Sequence, residues 1–237
     1  MEERRVLTGN PVSKGVAKAE AYQYEPLMLN VEAGYFKAGK ETEYWRTFIA
    51  AQSAAKGELQ QLQELVSSGD ENAARIFGAH IAILEDEDLQ YELRNAILND
   101  RMYPELAIEA CFGELVKVWS NTTDTMLAER VADIYDVKHR LLRNYLGKIE
   151  RCLSHLDRDV IVVAQDLLPS DVATIDRTHV RGIITEKDTT NSHAAVLAKS
   201  YGIPMITGVT AAIEALVDTR IIEMDGAVGT IRIETVT

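Results

Sequence analysis

No stretch of this 237-residue chain runs apolar for the ~20 residues that a membrane-spanning helix requires. Nor does an apolar segment follow the charges of the opening MEERRVLTGNP, so no secretory signal peptide is expected. Cysteine is scarce. Cys111 and Cys152 make neither a disulfide framework nor a CxxC metal knuckle, and both read as reduced thiols of a cytoplasmic protein. Positive charge is in deficit, with 37 acidic against 25 basic residues and a net charge of −12. That balance argues against a nucleic-acid backbone as main partner, because neutralising phosphates needs clustered Lys and Arg. It suits a soluble protein that steers toward a basic partner. Tandem repeats and low-complexity segments are missing too. What remains is a chain of ordinary hydrophobic content, 46 %, long enough for one large domain or two modest ones.

The texture of the sequence changes twice. Residues 1–30 are irregular, with Gly9, Pro11, Gly15 and Pro26 punctuating short strand-like pieces such as GVAKAEAYQY. From about Lys40 to Leu146 the pattern is helical. Trp45, Phe48, Ile49, Gln52, Ala55, Leu59, Leu62 and Val66 recur at threes and fours and form one largely apolar stripe. SSGD at 67–70 is a stop followed by an N-cap candidate, Asp70. Two shorter helices should follow, the second restarting at Asp86, and Pro104 suits the first turn of another. A last helix, about Asp124 to Leu146, carries Leu127, Val131, Ile134, Val137, Leu141 and Tyr145, with Gly147 as its stop. Such amphipathic stretches on short connections predict a helical bundle or a pair of helical hairpins.

Beyond residue 150 the period shifts. DVIVVAQD (159–166), VRGIIT (180–185), GIPMITG (202–208), RIIEMDG (220–226) and AVGTIRIE (227–234) are short runs rich in β-branched residues, separated by helix candidates at 193–201 and 210–217. This alternation predicts a small α/β domain. The N-terminal strands can join the same sheet, which makes the helical bundle an insertion into it.

The segment most informative about chemistry is TEKDTTNSHAAVLAKSYGIPMITGV, Thr185 to Val209. A strand enters a polar loop, and Asn191 or Ser192 then caps a helix with His193 in its first turn. Unpaired N–H groups and the positive end of the helix dipole meet there and favour a bound phosphate. The same field disfavours imidazolium, so the histidine is expected to be neutral, as a nucleophile attacking phosphorus must be. Elsewhere, Glu129, Arg130, Asp133 and Asp136 fall at helical spacings that suit surface ion pairs. His139, His155 and His179 share no spacing that suggests a metal.

Ser-His-Ala-Ala, two hydrophobics and Ala-Lys, followed by Gly-Ile-Pro, resembles the phosphohistidine signature of phosphoenolpyruvate-using enzymes, Gly-Gly-x-Thr-Ser-His-x-x-hydrophobic-hydrophobic-Ala-Arg. Within that group DLLPSDVATID (166–176), IFGAHIAILEDEDL (76–89), ERVADIYDVKHRLLRNYLG (129–147) and the NPVSKGVAKAEA opening are similar to enzyme I of the bacterial sugar phosphotransferase system. The resemblance covers nearly the whole chain.

It implies a swivelling α/β phosphohistidine domain from residues 1–30 and 148–237, and an inserted all-α helical-hairpin domain, 31–147, that binds the small carrier protein HPr. His193 would be the phosphohistidine, through Nε2, beside Ser192, with Asn191, Thr190 and Lys199 supporting the phosphate loop. Glu71, His80, Ile83, Asp86, Glu87, Asp88 and Arg130 would form the partner-binding face, with Arg130 nearest the incoming phosphate. Sugar transport through this phosphotransferase activity would need a C-terminal barrel that binds phosphoenolpyruvate and Mg2+. The resemblance ends before that barrel, so the chain is expected to be part of a longer enzyme or a short relative, with no cofactor or metal of its own. No nucleic-acid or membrane partner is implied.

The chain departs from the family pattern around the histidine. Asp188-Thr189-Thr190-Asn191 stands where the family has Gly-Gly-x-Thr, which removes the easy positive-φ loop. Asp188 adds a negative charge, with Lys187 as its expected offset. Val172 and Ala73 stand where hydrogen-bonding residues hold the resting histidine, and Lys199 replaces an arginine fork. A similar loss of glycines marks the enzyme I-like module of the dihydroxyacetone kinase phosphotransfer subunit. That module, and a docking relative that binds HPr without being phosphorylated, are the alternative readings.

Overall fold

A computed structural model describes residues 6–27, 29–31, 33–67, 71–121, 130–149, 153–217 and 221–234. Its internal contacts divide the chain into two units, one built from 1–26 with 151–237 and the other from 27–150.

The first unit is an α/β sheet domain. Its strands are β1 (Val6–Thr8), β2 (Asn10–Ser13), β3 (Val16–Tyr24), β4 (Val160–Ala164), β5 (Val180–Thr185), β6 (Met205–Thr207), β7 (Ile221–Asp225) and β8 (Thr230–Glu234). They make an eight-stranded sheet in the order β1-β8-β7-β3-β4-β5-β6-β2. The pairs β3/β4, β4/β5 and β5/β6 are parallel and the flanking pairs antiparallel. Every residue of the central VIVVA strand is buried, as expected where both faces of a parallel strand are covered. Ile161 and Val163 pack with Ile184, Ile206, Ala212 and Leu216 on one face.

The connections after β4 and β5 carry short helices. Pro169–Ala173 forms a helix that the strand-rich reading of this region passed over. Pro169 opens it, and Asp171 Oδ2 accepts the Leu168 N–H at 2.8 Å to close its first turn. His193–Ser200 is the helix expected after β5, and Ala212–Leu216 is the shorter one expected near 210.

The second unit is helical. Its helices are α1 (Glu41–Ser67), α2 (Glu71–Leu84), α3 (Glu87–Leu98), α4 (Pro104–Ser120) and α5 (Val131–Tyr145). We number the three helices of the sheet unit α6 (Pro169–Ala173), α7 (His193–Ser200) and α8 (Ala212–Leu216). On α1 the buried positions are Phe48, Ala51, Ala55, Leu59, Leu62 and Val66, a three-and-four spacing. Ile49 falls off that stripe and is exposed, whereas Trp45 stacks on Phe48 and takes the Arg94 guanidinium over its ring. Glu58 of α1 binds both Arg140 and Arg143 of α5, tying the two helices where their apolar faces meet. The break after α2 arises because Asp86 caps α3, its Oδ1 accepting the Leu89 N–H at 2.9 Å. Gly147, with φ +61°, ends the last helix as expected. Asp70, Glu129, Cys152 and the expected helix start from Asp124 through Leu127 lie outside the described residues. Among the described residues no helix is long and apolar enough to cross a membrane.

Candidate functional site: a capped histidine and an acidic groove

His193 is the first residue of α7. Ser192 is the cap: its backbone is extended, and its Oγ accepts the Ala195 N–H at 3.1 Å. The Ser192 carbonyl receives Val196 N, and the Ser192 N–H closes a turn on the Thr189 carbonyl at 2.9 Å. Of the two cap candidates, Ser192 therefore fills the role and Asn191 is left exposed in the loop. The half-buried imidazole stands at the helix end where the first N–H groups have no carbonyl within the helix.

The loop before it departs from expectation in an instructive way. Among the described residues the only non-glycine positions with positive φ are Arg101 and Ala211, so 187–192 need no glycine to turn. Asp188 is held by hydrogen bonds. Its Oδ2 accepts from Asn10 Nδ2 at 2.8 Å, and its Oδ1 from Thr190 Oγ1 at 2.6 Å and Thr207 Oγ1 at 3.2 Å. The Thr190 hydroxyl holds this exposed carboxyl below the usual carboxylate range, with Thr207 and Asn10 adding to the effect. Lys187, the expected offset for Asp188, instead pairs with Asp166 at 3.3 Å.

Thr190, expected to support the phosphate loop, donates within the loop to Asp188. Lys199 does not stand with it. It lies six residues down α7, about 9 Å along the axis at 1.5 Å per residue, exposed in the last turn where a cation complements the terminal carbonyls. Val172 and Ala73 are both fully buried.

In the helical unit a cavity of about 730 Å3 opens between α2, α3 and α4. Ala79, Ala82 and Ile83 of α2 and Leu115 and Val118 of α4 form apolar wall, while Asp86, Asp88, Glu92 and Glu114 make an acidic rim that Arg130 joins. Four of the expected partner-face residues, Ile83, Asp86, Asp88 and Arg130, therefore share one groove. Glu71 and Glu87 are exposed in the first turns of α2 and α3 but do not line it. Sequence reading missed Cys111, Leu115 and Trp119, which also line it at helical spacing along α4. That period was visible, but nothing in it distinguishes a groove wall from core. Burial pushes the Cys111 thiol up to about 11, with Glu92 adding to the rise.

His80 is a correction. Expected on the partner-binding face, it is fully buried, with Nε2 3.2 Å from Asp133 Oδ1, Nδ1 3.9 Å from Asp136 Oδ2 and the ring edge-on to Phe77. Asp133 and Asp136 are likewise not surface ion-pair residues; each is 1 % exposed. Their i, i+3 spacing puts both carboxylates on the side of α5 that turns inward, and a buried carboxylate needs a polar partner.

The chain is similar to known proteins over most of its length. Residues 8–130 match the family described as PEP-utilising enzyme, N-terminal, and residues 156–229 match PEP-utilising enzyme, mobile domain. Similar curated proteins include phosphoenolpyruvate-protein phosphotransferases of Mycoplasma pneumoniae, 31 % identical over 94 % of this chain, and of Bacillus subtilis, 32 % identical over 96 %. The chain spans about two fifths of those relatives, 39 % and 40 % of their length. A solution NMR structure of Enzyme I (nEIt) superposes with a TM-score of 0.79 at 27 % identity, covering 97 % of this chain and 93 % of that one. An N-terminal domain of Enzyme 1 - Nitrogen shares the fold, with a TM-score of 0.64 at 22 % identity over 96 % of this chain and 93 % of that one.

Proposed function

This chain belongs to the PEP-utilising enzymes and corresponds to an N-terminal enzyme I domain, and on that premise we propose that His193 carries a phosphoryl group exchanged with the active histidine of HPr or an HPr-like carrier. The observation that carries this reading is the placing of His193 as the first residue of α7, behind the Ser192 cap. A ring nitrogen of His193 attacks the phosphorus of the carrier's phosphohistidine, one N–P bond forming as the other breaks. The released carrier imidazole takes up the electron pair. The N–H donors and dipole at the start of α7 stabilise the phosphoryl oxygens throughout.

The sheet unit then acts as the swivelling phosphohistidine domain and the helical unit as the cytoplasmic carrier's dock. Charge complementarity supports the acidic groove as docking surface for a basic partner. In this reading Asp86, Asp88 and Arg130 contact the carrier, with Glu71 and Glu87 adding to the acidic field and His80 supporting the face from within. Phosphoenolpyruvate and Mg2+ belong to the barrel region that the family places after this one. The two loop carboxylates do not fit as Mg2+ ligands, since Asp188 accepts from three side chains and Asp166 holds Lys187 and the Leu167 N–H. The lost glycines are the one feature shared with the dihydroxyacetone kinase module, and the similar curated proteins, which are phosphoenolpyruvate-protein phosphotransferases, do not favour it.

The test is incubation with phospho-HPr, followed by intact mass measurement and acid treatment. An acid-labile gain of about 80 Da (one phosphoryl group) is expected on the wild type and is lost in His193→Ala. An equal gain on both proteins, or none on either, would refute the reading. HPr binding without transfer would leave a docking relative in its place.

A further inference from the structure

The loop between β5 and α7 holds a carboxylate where the pattern it resembles has glycine, and the surrounding residues are arranged to take it. Asn10 of β2 and Thr207 of β6 donate to Asp188 from two strands, and Thr190 donates from within the loop. Thr207 is fully buried, so its hydroxyl is a rigid donor. Gly208, at φ +68°, makes the room: a Cβ there would lie 3.2 Å from Asn10 Nδ2 and 3.5 Å from Asp188 Cβ. Its N–H and the Thr185 hydroxyl both donate to the Lys187 carbonyl, at 3.1 and 3.0 Å. Residues 187 and 188 are therefore pinned from β2, β5 and β6, and the turn from Thr189 to Ser192 starts from a fixed point.

We propose that Asp188 is a positioning residue for phosphoryl transfer at His193. It anchors the loop that sets Ser192, and with it the first turn of α7, in place of a glycine turn. The proposal rests on the transfer reading given above. The three donors also answer the objection that a carboxylate beside an incoming phosphoryl group repels it, because both oxygens are turned into bonds with neutral partners that spread the charge. Bonding of this kind stabilises the ionised form, which agrees with the downward shift of its titration. A loop that holds its nucleophile within tenths of an ångström matters for rate, since misplacement by about 1 Å can cost on the order of 100-fold.

The test uses the whole chain with phospho-HPr, comparing wild type, Asp188→Ala, Asp188→Asn and Asn10→Ala. Three readouts are followed: the rate constant of transfer in rapid-quench experiments, HPr affinity, and amide hydrogen exchange at 189–192. Asp188→Ala is expected to slow transfer about 10- to 100-fold, with HPr affinity unchanged and amide exchange faster. Asn10→Ala should give a milder loss of the same kind. Asp188→Asn should recover most of the rate, because its carbonyl still accepts both hydroxyls and the Asn10 amide can turn to pair with its NH2. A wild-type rate and unaltered exchange in Asp188→Ala would overturn the proposal. So would an Asp188→Asn as slow as Asp188→Ala, which would make charge rather than bonding the operative property. If the wild type is not phosphorylated, the transfer reading fails, and the exchange measurement alone decides whether Asp188 anchors the loop.

Discussion

Asp86 has two jobs in this structure that substitution can separate. Its Oδ1 caps α3 through the Leu89 N–H at 2.9 Å, and its charge lies on the rim of the groove proposed to receive the carrier. Asparagine caps as well as aspartate but carries no charge, whereas alanine provides neither property. Loss of a side-chain cap costs about 1 kcal/mol, within a range of roughly 0.5–2. The attraction between a carboxylate and the helix start is smaller, about 0.3–1 kcal/mol, and is screened by salt. For a domain between 100 and 150 residues, about 1 kcal/mol moves Tm by roughly 3–5 °C. Asp86→Ala loses both, about 1.3–2 kcal/mol, and should lower the Tm of the helical unit by roughly 4–10 °C, while Asp86→Asn loses only the charge and should lower it by half as much or less. Both should weaken HPr binding alike, because both remove the rim charge. Calorimetry at low and high salt, paired with titration of HPr, measures the two effects separately. Equal destabilisation by Asn and Ala would refute the cap argument, and unchanged binding in both would remove Asp86 from the docking surface.

His80→Ala should cost about 3–5 kcal/mol, the cost of leaving the buried Asp133 and Asp136 carboxyl groups without the ring between them, with the binding of the folded fraction unchanged. Lost affinity at full stability would instead restore His80 to the partner face. With its thiol pushed up to about 11, Cys111 should react slowly with iodoacetamide at neutral pH. Labelling should quicken about tenfold per pH unit until the thiol titrates, and the modified protein should lose HPr binding by occupation of the groove. Asp188 titrates below the ordinary carboxylate range, so the part of its contribution to loop order that depends on ionisation is complete above that range and lost as pH falls through its folded value. Amide protection at 189–192, corrected for the intrinsic slowing of exchange in acid, should therefore fall by a part only, and at a lower pH than the protonation of an unpaired aspartate.

Much of the fold was legible because periodicity reports burial directly. The fully buried run 160–164, the three-and-four stripe of α1 and a cap just ahead of His193 each follow from one local rule. Other features required partners distant in sequence. Asp133 and Asp136 look like surface charges on a polar helix until His80, more than fifty residues earlier, is brought between them. The groove wall on α4 is indistinguishable from core in one dimension, since both are apolar residues at the same period.

What the sequence alone determined is the identity of the candidate nucleophile and the ground it stands on: a cap at Asn191 or Ser192, a histidine just after it, and a strand–loop–helix that puts both at a helix start. These depend on neighbours within a few residues, where local geometry is decisive. Only the tertiary structure decided how the loop before that histidine keeps its shape. Read in line, Asp188 was a lost glycine and an unwanted charge. Folded, it meets Asn10 from 178 residues away and Thr207 from 19. A hydrogen bond depends on the distance between donor and acceptor, which the sheet brings below 3.5 Å and sequence separation does not encode.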